Sequence, residues 1–156
     1  MYRYKESGLD NVVLINGYSE GDTPYGPMVS FDNIEGLHEA IGKWLLKLPR
    51  PLNGAEVRFL RHELDLSQKR LGLMLGVAEV TVRRWELHRD KPVPPTPDRF
   101  LRVIYSSWTD GRESTRDLID TLAGMDQAEA QVREEVRFRE SHKGWRVDHG
   151  GSEVHT

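Results

Sequence analysis

The strongest constraint on the fold of this 156-residue chain is the stretch Leu66–Glu86, LSQKRLGLMLGVAEVTVRRWE. Ser67 is a residue type that caps helices, and apolar residues recur behind it at helical spacing, which predicts a helix over Gln68–Leu75. Gly76 fits the left-handed conformation that ends a helix. A second helix is predicted over Ala78–His88. The stretch therefore predicts two short helices joined by a turn of three or four residues.

The second predicted helix has two different faces. At 100° per residue, one side carries Ala78, Val82 and Trp85, and we expect this side to lie in the core. The opposite side carries residues that we expect to be exposed: Val80, Arg83, Arg84 and Leu87. The exposed side is the candidate binding surface.

The same stretch resembles the signature of Xre-type helix-turn-helix transcriptional regulators. The residues that carry the resemblance are Leu66-Ser67-Gln68, Leu71, Leu75-Gly76-Val77, Thr81-Val82 and Trp85-Glu86. The chain departs from the family at Gly72, where Ala is usual, and at Ala78, where Ser or Thr is usual. Gly72 costs roughly 1 kcal/mol of helix propensity. Ala78 supplies no side-chain cap.

The resemblance implies that the second helix lies in the major groove of DNA while the first crosses the backbone. The implied DNA-binding residues are Ser67, Gln68, Lys69, Glu79, Val80, Thr81, Arg83 and Arg84. Arg84 is placed to contact a guanine edge and Val80 a thymine methyl group, whereas Gln68 and Lys69 suit phosphate contacts. For Glu79, support of the helix N-terminus is favoured over a contact with cytosine.

The charge distribution decides whether DNA binding is reasonable, because the net charge is −3. Residues 1–53 carry 5 basic and 7 acidic groups, residues 54–91 carry 8 and 6, and residues 92–156 carry 9 and 12. Only the segment with the two helices is positive, by +2. Since this excess is small, we expect a homodimer that presents two such surfaces to an inverted repeat.

Residues 1–49 predict a small module of strands and one helix. The predicted strands are Val12–Ile15 and Pro27–Phe31, with glycine and proline turn residues between them. An amphipathic helix follows a cap at Asp32 or Asn33, with its apolar residues at Ile34, Leu37, Ile41, Leu45 and Leu48. Pro49-Arg50-Pro51 then predicts a stiff linker and a domain boundary.

Residues 50–124 predict a five-helix domain around the two short helices. Asn53 and Glu56 form a capping-box pattern ahead of the pair. After the pair, Thr96-Pro97 is expected to begin a helix that closes the core over Trp85. Its apolar residues are Phe100, Leu101, Val103, Ile104 and Trp108. One more helix is predicted over Thr115–Ala123.

Residues 125–147 are expected to form a C-terminal extension, in which the segment Gln131–Val147 is ambiguous between helix and strand. We favour a β-hairpin around Ser141–Gly144, preceded by a helix over Asp126–Glu134. Residues 148–156 resemble a disordered tail. The fold class expected for the whole chain is mainly α with β accessories (α+β).

The order of the parts resembles MqsA-type antitoxin-like regulators. The N-terminal likeness rests on three motifs: Glu6–Val12, Thr23-Pro24-Tyr25-Gly26 and Gly36-Leu37-His38. That antitoxin carries zinc on CxxC pairs, and this chain has no cysteine, so the zinc is not carried over. The six histidines are scattered, no nucleophile or phosphate-binding motif is present, and we expect no metal, no cofactor and no enzyme activity.

Three functional hypotheses follow. The first is a cytoplasmic repressor of its own promoter that binds double-stranded DNA as a homodimer. The alternative is an antitoxin whose N-terminal module neutralises a cognate toxin, with DNA binding secondary, and a third is a regulator that binds a small ligand. No apolar run reaches the roughly 18 residues of a membrane span. For the dimer contact, the segment Val136–Val147 is favoured over the N-terminal module.

Overall fold

The computed structural model describes residues 1–109, 112–124 and 135–149. These residues form a mixed α/β architecture of six α helices and six β strands in two small sheets, compatible with the α+β class. The helices are α1 (Ile34–Leu46), α2 (Gly54–Glu63), α3 (Gln68–Leu75), α4 (Glu79–Leu87), α5 (Pro95–Thr109) and α6 (Arg112–Ala123). The strands are β1 (Tyr2–Arg3), β2 (Val12–Leu14), β3 (Tyr18–Thr23), β4 (Gly26–Phe31), β5 (Val136–Ser141) and β6 (Gly144–Val147). The helix predicted over Asp126–Glu134 and most of the predicted tail lie outside the described residues.

Backbone contacts divide the chain into two compact units, and each is described by itself. One unit combines residues 1–41 with the described part of 133–156, and the other comprises residues 42–132. This division differs from the predicted boundary after residue 49. Arg50 and Pro51 are buried, and the Arg102 side chain donates a hydrogen bond to the Arg50 carbonyl. The proline-rich segment is therefore packed against α5 within the second unit.

The first unit is built on a four-stranded sheet in the order β1-β2-β5-β6. The predicted hairpin is confirmed, because β5 and β6 are antiparallel and Ser141 pairs with Gly144. On its other side β5 runs parallel to β2, which buries Val136 and Phe138 within the same chain. The apolar alternation in this segment is thus explained by an internal sheet partner. It no longer gives a reason to place the dimer contact there.

A separate two-stranded ribbon, β3 with β4, completes the first unit. Only β4 was predicted from the sequence, since β3 reads YSEGDT and has no apolar alternation. Aromatic side chains hold the base of the ribbon: the ring centroids of Tyr2 and Tyr18 are 5.3 Å apart, and those of Tyr4 and Phe31 are 4.9 Å apart.

A fully buried arginine organises the second unit. The Arg102 guanidinium donates to the carbonyl oxygens of Leu46 at 3.2 Å and Leu48 at 2.9 Å, and also to that of Arg50. Its Nε lies 3.0 Å from Oδ1 of Asp98. Two of these carbonyls belong to the end of α1 and the residues just after it, where no helical N–H is available. Burial raises the pKa of Asp98, and Arg102 opposes that shift.

This ion pair also sets which side of α5 faces inward. Asp98, Leu101, Arg102 and Tyr105 recur at i, i+3, i+4 and i+7 and are all buried. Phe100 and Trp108 lie off this face, and are 45% and 61% exposed. Leu101 and Ile104 of the predicted face are buried, but the prediction is wrong for Phe100 and Trp108, because Asp98 and Arg102 take inner positions that the apolar pattern does not indicate. The helix also begins at Pro95, earlier than predicted.

The predicted capping box at the start of α2 is confirmed. The Asn53 side chain accepts from the Glu56 N–H, and the Glu56 carboxylate accepts from the Asn53 N–H, each at 2.9 Å. Glu56 is buried and also accepts two hydrogen bonds from Arg50, at 2.8 and 2.7 Å. Gly54, the residue after Asn53, lies so close to the end of α4 that a Cβ there would overlap the Trp85 carbonyl oxygen.

Replacing the buried arginine tests its structural role. Arg102→Met leaves the Asp98 charge and three carbonyls without their donor, and should lower the free energy of unfolding by about 3 to 5 kcal/mol in chemical denaturation. Arg70→Met, at an exposed helical position, should change it by less than about 0.5 kcal/mol.

If Arg102→Met proves too unstable to purify, the double variant with Asp98→Asn removes the unpaired charge and should recover part of the loss. An Arg102→Met protein as stable as the parent would contradict this role.

Candidate nucleic-acid interface

The first helix of the predicted pair begins and ends as expected. The Ser67 side chain accepts a hydrogen bond from the Arg70 N–H at 3.0 Å and caps α3. At the other end Gly76 adopts a left-handed conformation, with φ of 74°, and its N–H donates to the Gly72 carbonyl. Leu71 is fully buried on the inner side. The predicted cap, turn glycine and core residue of α3 are therefore confirmed.

Gly72 has a packing reason that the sequence did not reveal. The Val77 N–H donates to the Gly72 carbonyl at 2.9 Å, which folds the turn back onto the helix. A Cβ at position 72 would lie 2.7 Å from the Val77 carbonyl oxygen, closer than real Cβ atoms approach. The lost helix propensity therefore accompanies a tightly closed turn.

The buried face of α4 differs in part from the prediction. Val82 is fully buried, as expected, but Trp85 is only half-buried and Ala78 is exposed. Ala78 stands at the N-cap and makes no side-chain hydrogen bond there. The second buried residue of α4 is Glu86, one position beyond Trp85. A buried glutamate can take that place because it meets an arginine.

The ion pair between Arg61 and Glu86 joins α2 to α4. Nε and Nη2 of Arg61 lie 2.7 and 2.8 Å from the two carboxylate oxygens of Glu86. Nη1 of Arg61 donates to the Leu66 carbonyl at 2.9 Å, and the Gln68 amide donates to Glu86 at 3.2 Å. The pKa of His62, which lies beside this cluster, is lowered mainly by burial and next by the positive charge of Arg61. One carboxylate thus fixes α2, the start of α3 and the end of α4.

Gln68 is therefore half-buried, with its amide directed to Glu86, whereas the prediction assigned it a phosphate contact. The neighbouring Lys69 is exposed. The pair of Arg61 and Glu86 was not predicted from the sequence, because Arg61 lies outside the stretch that carries the resemblance. The sequence feature that could have indicated it is Glu86, which lies at the end of an otherwise apolar face of α4. The preceding helix α2 contains Arg61, to which no role had been given.

The outer face of α4 carries the predicted exposed residues. Val80 is 50% and Leu87 is 73% exposed, and Arg83 and Arg84 are exposed beside them. Thr81 is half-buried at the edge of this face.

The two arginines differ in their partners. Arg83 forms an exposed ion pair with Glu79, with 3.4 Å between nitrogen and oxygen. Within the part of the chain that the structure describes, Arg84 makes no ion pair or side-chain hydrogen bond. Arg84 is thus the arginine whose guanidinium is free for a ligand.

Burial of acidic groups makes this region more positive at its surface than the sequence count indicates. Glu56 and Glu86 are buried against arginines, and Arg61 is buried as well. Over residues 54–91 the exposed charged side chains are therefore seven basic and four acidic. The excess exposed to solvent is +3 and includes Lys69, Arg83 and Arg84.

No protein-family model, curated protein or solved structure matches this chain. None of the helices over the described ranges is long and apolar enough to cross a membrane. In the same residues no group of three or more His, Cys, Asp or Glu side chains is arranged to hold a metal ion.

Two glutamates on the same helix test the role of the buried pair. Glu86→Ala leaves the buried Arg61 guanidinium unpaired and should lower the free energy of unfolding by about 3 to 5 kcal/mol. Glu79→Ala removes an exposed pair and should cost less than about 1 kcal/mol. Urea unfolding of the two variants measures the difference, and equal losses would mean that Glu86 does not hold the helices together.

Proposed function

We propose that this chain is a sequence-specific regulator of transcription that binds double-stranded DNA through an Xre-type helix-turn-helix. In this proposal α4 enters the major groove, α3 crosses the phosphate backbone, and the chain represses a promoter, its own included. Support comes from the quoted sequence signature together with the lengths of the two helices, the turn between them and the Ser67 cap of α3.

One observation carries the proposal: the inner side of α4 is fixed by buried contacts, and its outer side carries exposed positive charge. Val82 and Glu86 fix its inner side, while Arg84 extends from the outer side without a partner among the described residues. A rigid helix that presents a free guanidinium suits bidentate hydrogen bonding to O6 and N7 of guanine. Val80, exposed one turn earlier, suits contact with a thymine methyl group.

The start of α3 supports phosphate binding. Ser67 uses its hydroxyl to cap the Arg70 N–H, and the first N–H groups of a helix lack partners within the helix. Lys69 adds an exposed positive charge at that end. A helix N-terminus with a lysine beside it attracts an anionic phosphate, so Lys69 contributes affinity without base preference.

Selection of bound sequences from random duplex DNA tests the proposal directly. A surface excess of +3 is small for one chain, so we expect an inverted repeat with half-sites one helical turn, about 34 Å, apart. Sedimentation of the complex should then give two chains per duplex. Recovery of no enriched sequence, with equal binding to all duplexes at low salt, would contradict the proposal.

Two substitutions separate base contact from phosphate contact. Arg84→Ala should weaken binding to the selected duplex by about 1 to 3 kcal/mol and relax preference at one base pair. Lys69→Ala should weaken all duplexes alike and reduce the slope of log K against log salt by about 1. Titrations over a salt series measure both effects. Unchanged base preference in Arg84→Ala would show that this side chain reads no base.

A further inference from the structure

The ribbon of β3 and β4 has an outer edge that the described part of the chain leaves unpaired. The strands are in register from Tyr18 opposite Phe31 to Thr23 opposite Gly26. The ladder extends one pair beyond Tyr18 and Phe31, where the Asp32 N–H donates to the Gly17 carbonyl at 2.8 Å. Because inward and outward backbone groups alternate along an antiparallel strand, every second residue of β3 points its N–H and C=O outward. The outward residues are Tyr18, Glu20 and Asp22.

The other strand edges in this unit are short or protected. β1 has two residues, and β6 has four and carries Arg146. The outward positions of β4 include Pro27, which has no N–H to offer. β3 is six residues long and has neither proline nor a basic residue. It is therefore the edge best able to accept another strand.

Charge identifies the kind of strand that fits. Glu20 and Asp22 are exposed, and being two residues apart they share one face of the ribbon. Residues 17–33 contain three acidic residues and no basic one. Gly21 between the two carboxylates is exposed and has open space where a Cβ would be, on the opposite face of the strand.

We propose that the outer edge of β3 binds an extended strand of a partner protein in which Lys or Arg side chains recur at every second residue. Main-chain hydrogen bonds to the three outward residues supply binding, and ion pairs to Glu20 and Asp22 select the basic partner. The aromatic contacts of Tyr18 and Phe31 with Tyr2 already hold the ribbon in place, so little ordering is needed.

A second copy of the chain fits this edge poorly. Antiparallel pairing of β3 with β3 that uses all three outward residues sets Glu20 against Glu20, and a shift by two residues, which keeps outward residues opposite one another, sets Glu20 against Asp22. The β6 edge offers Arg146, but Asp148 stands two residues further on. Both arrangements bring like charges together. The carboxylates that favour a basic strand therefore also keep copies of this chain apart.

The test uses the full chain and a labelled peptide of alternating lysine and threonine, with a peptide of alternating glutamate and threonine as control. Fluorescence anisotropy should show saturable binding of the basic peptide only. Amide hydrogen exchange by NMR should show new protection at the N–H groups of Tyr18, Glu20 and Asp22. The inward N–H groups of Ser19 and Gly21 should not change.

Variants distinguish the contribution of the two carboxylates from that of the backbone groups at the strand edge. Glu20→Gln with Asp22→Asn should weaken peptide binding about tenfold, since two cross-strand ion pairs are lost. Glu35→Gln, an exposed carboxylate on α1, should leave it unchanged. Glu20→Pro removes an outward N–H, as Pro27 does on β4, and should abolish binding while the inward amides stay protected.

Three results would overturn the proposal. The first is equal binding of the two peptides. The second is undiminished binding by Glu20→Pro. The third is protection of the three outward N–H groups that rises with protein concentration in the absence of peptide, which would assign the edge to a second copy.

Discussion

The buried guanidinium of Arg102 is the interaction on which the second unit depends. Its donors meet Asp98 and three backbone carbonyls, at Leu46, Leu48 and Arg50, where α1 has ended and the chain turns toward α2. Where the chain turns inside a core, its carbonyls have no helical partner and cannot be reached by water. Each would cost free energy if left unpaired. A planar group with five N–H donors can satisfy all four acceptors at once, whereas the three donors of a lysine cannot. The arginine thus permits a buried connection where a solvent-exposed linker would otherwise be needed.

The same device recurs at the candidate interface, with a consequence for its charge. Arg50 pairs with Glu56 and Arg61 pairs with Glu86, all four side chains being buried. A buried pair gains little net stability over apolar packing, but it is costly to break, so it fixes one arrangement of the helices. It also removes carboxylates from the surface, so over residues 54–91 exposed basic side chains such as Arg84 outnumber the exposed acidic ones. Helix packing and surface potential are in this way set by the same residues.

Periodicity and local chemistry predicted much of the fold, and the failures have physical causes. The two short helices, the cap at Ser67, the turn at Gly76 and the C-terminal hairpin follow from patterns within a few residues. The strand β3 and the inner face of α5 do not, because β3 is stabilised by its partner strand and α5 is oriented by Arg102, far along the chain from the carbonyls it meets. Of the candidate site, the exposed side of α4 was predictable, whereas the orientation of Gln68 depended on a distant arginine.

The net charge of −3 describes neither of the two surfaces that carry the proposals. Residues 54–91 expose a positive excess, whereas residues 17–33 hold carboxylates and no cation. At physiological salt, charges more than roughly 8 Å apart are largely screened, so a partner responds to the local patch and not to the sum over the chain. A small excess of opposite sign on the two segments is compatible with both proposals, DNA binding by residues 54–91 and binding of a basic strand by residues 17–33. The small net charge is therefore what surfaces of opposite charge produce when they are summed, and it argues against neither proposal.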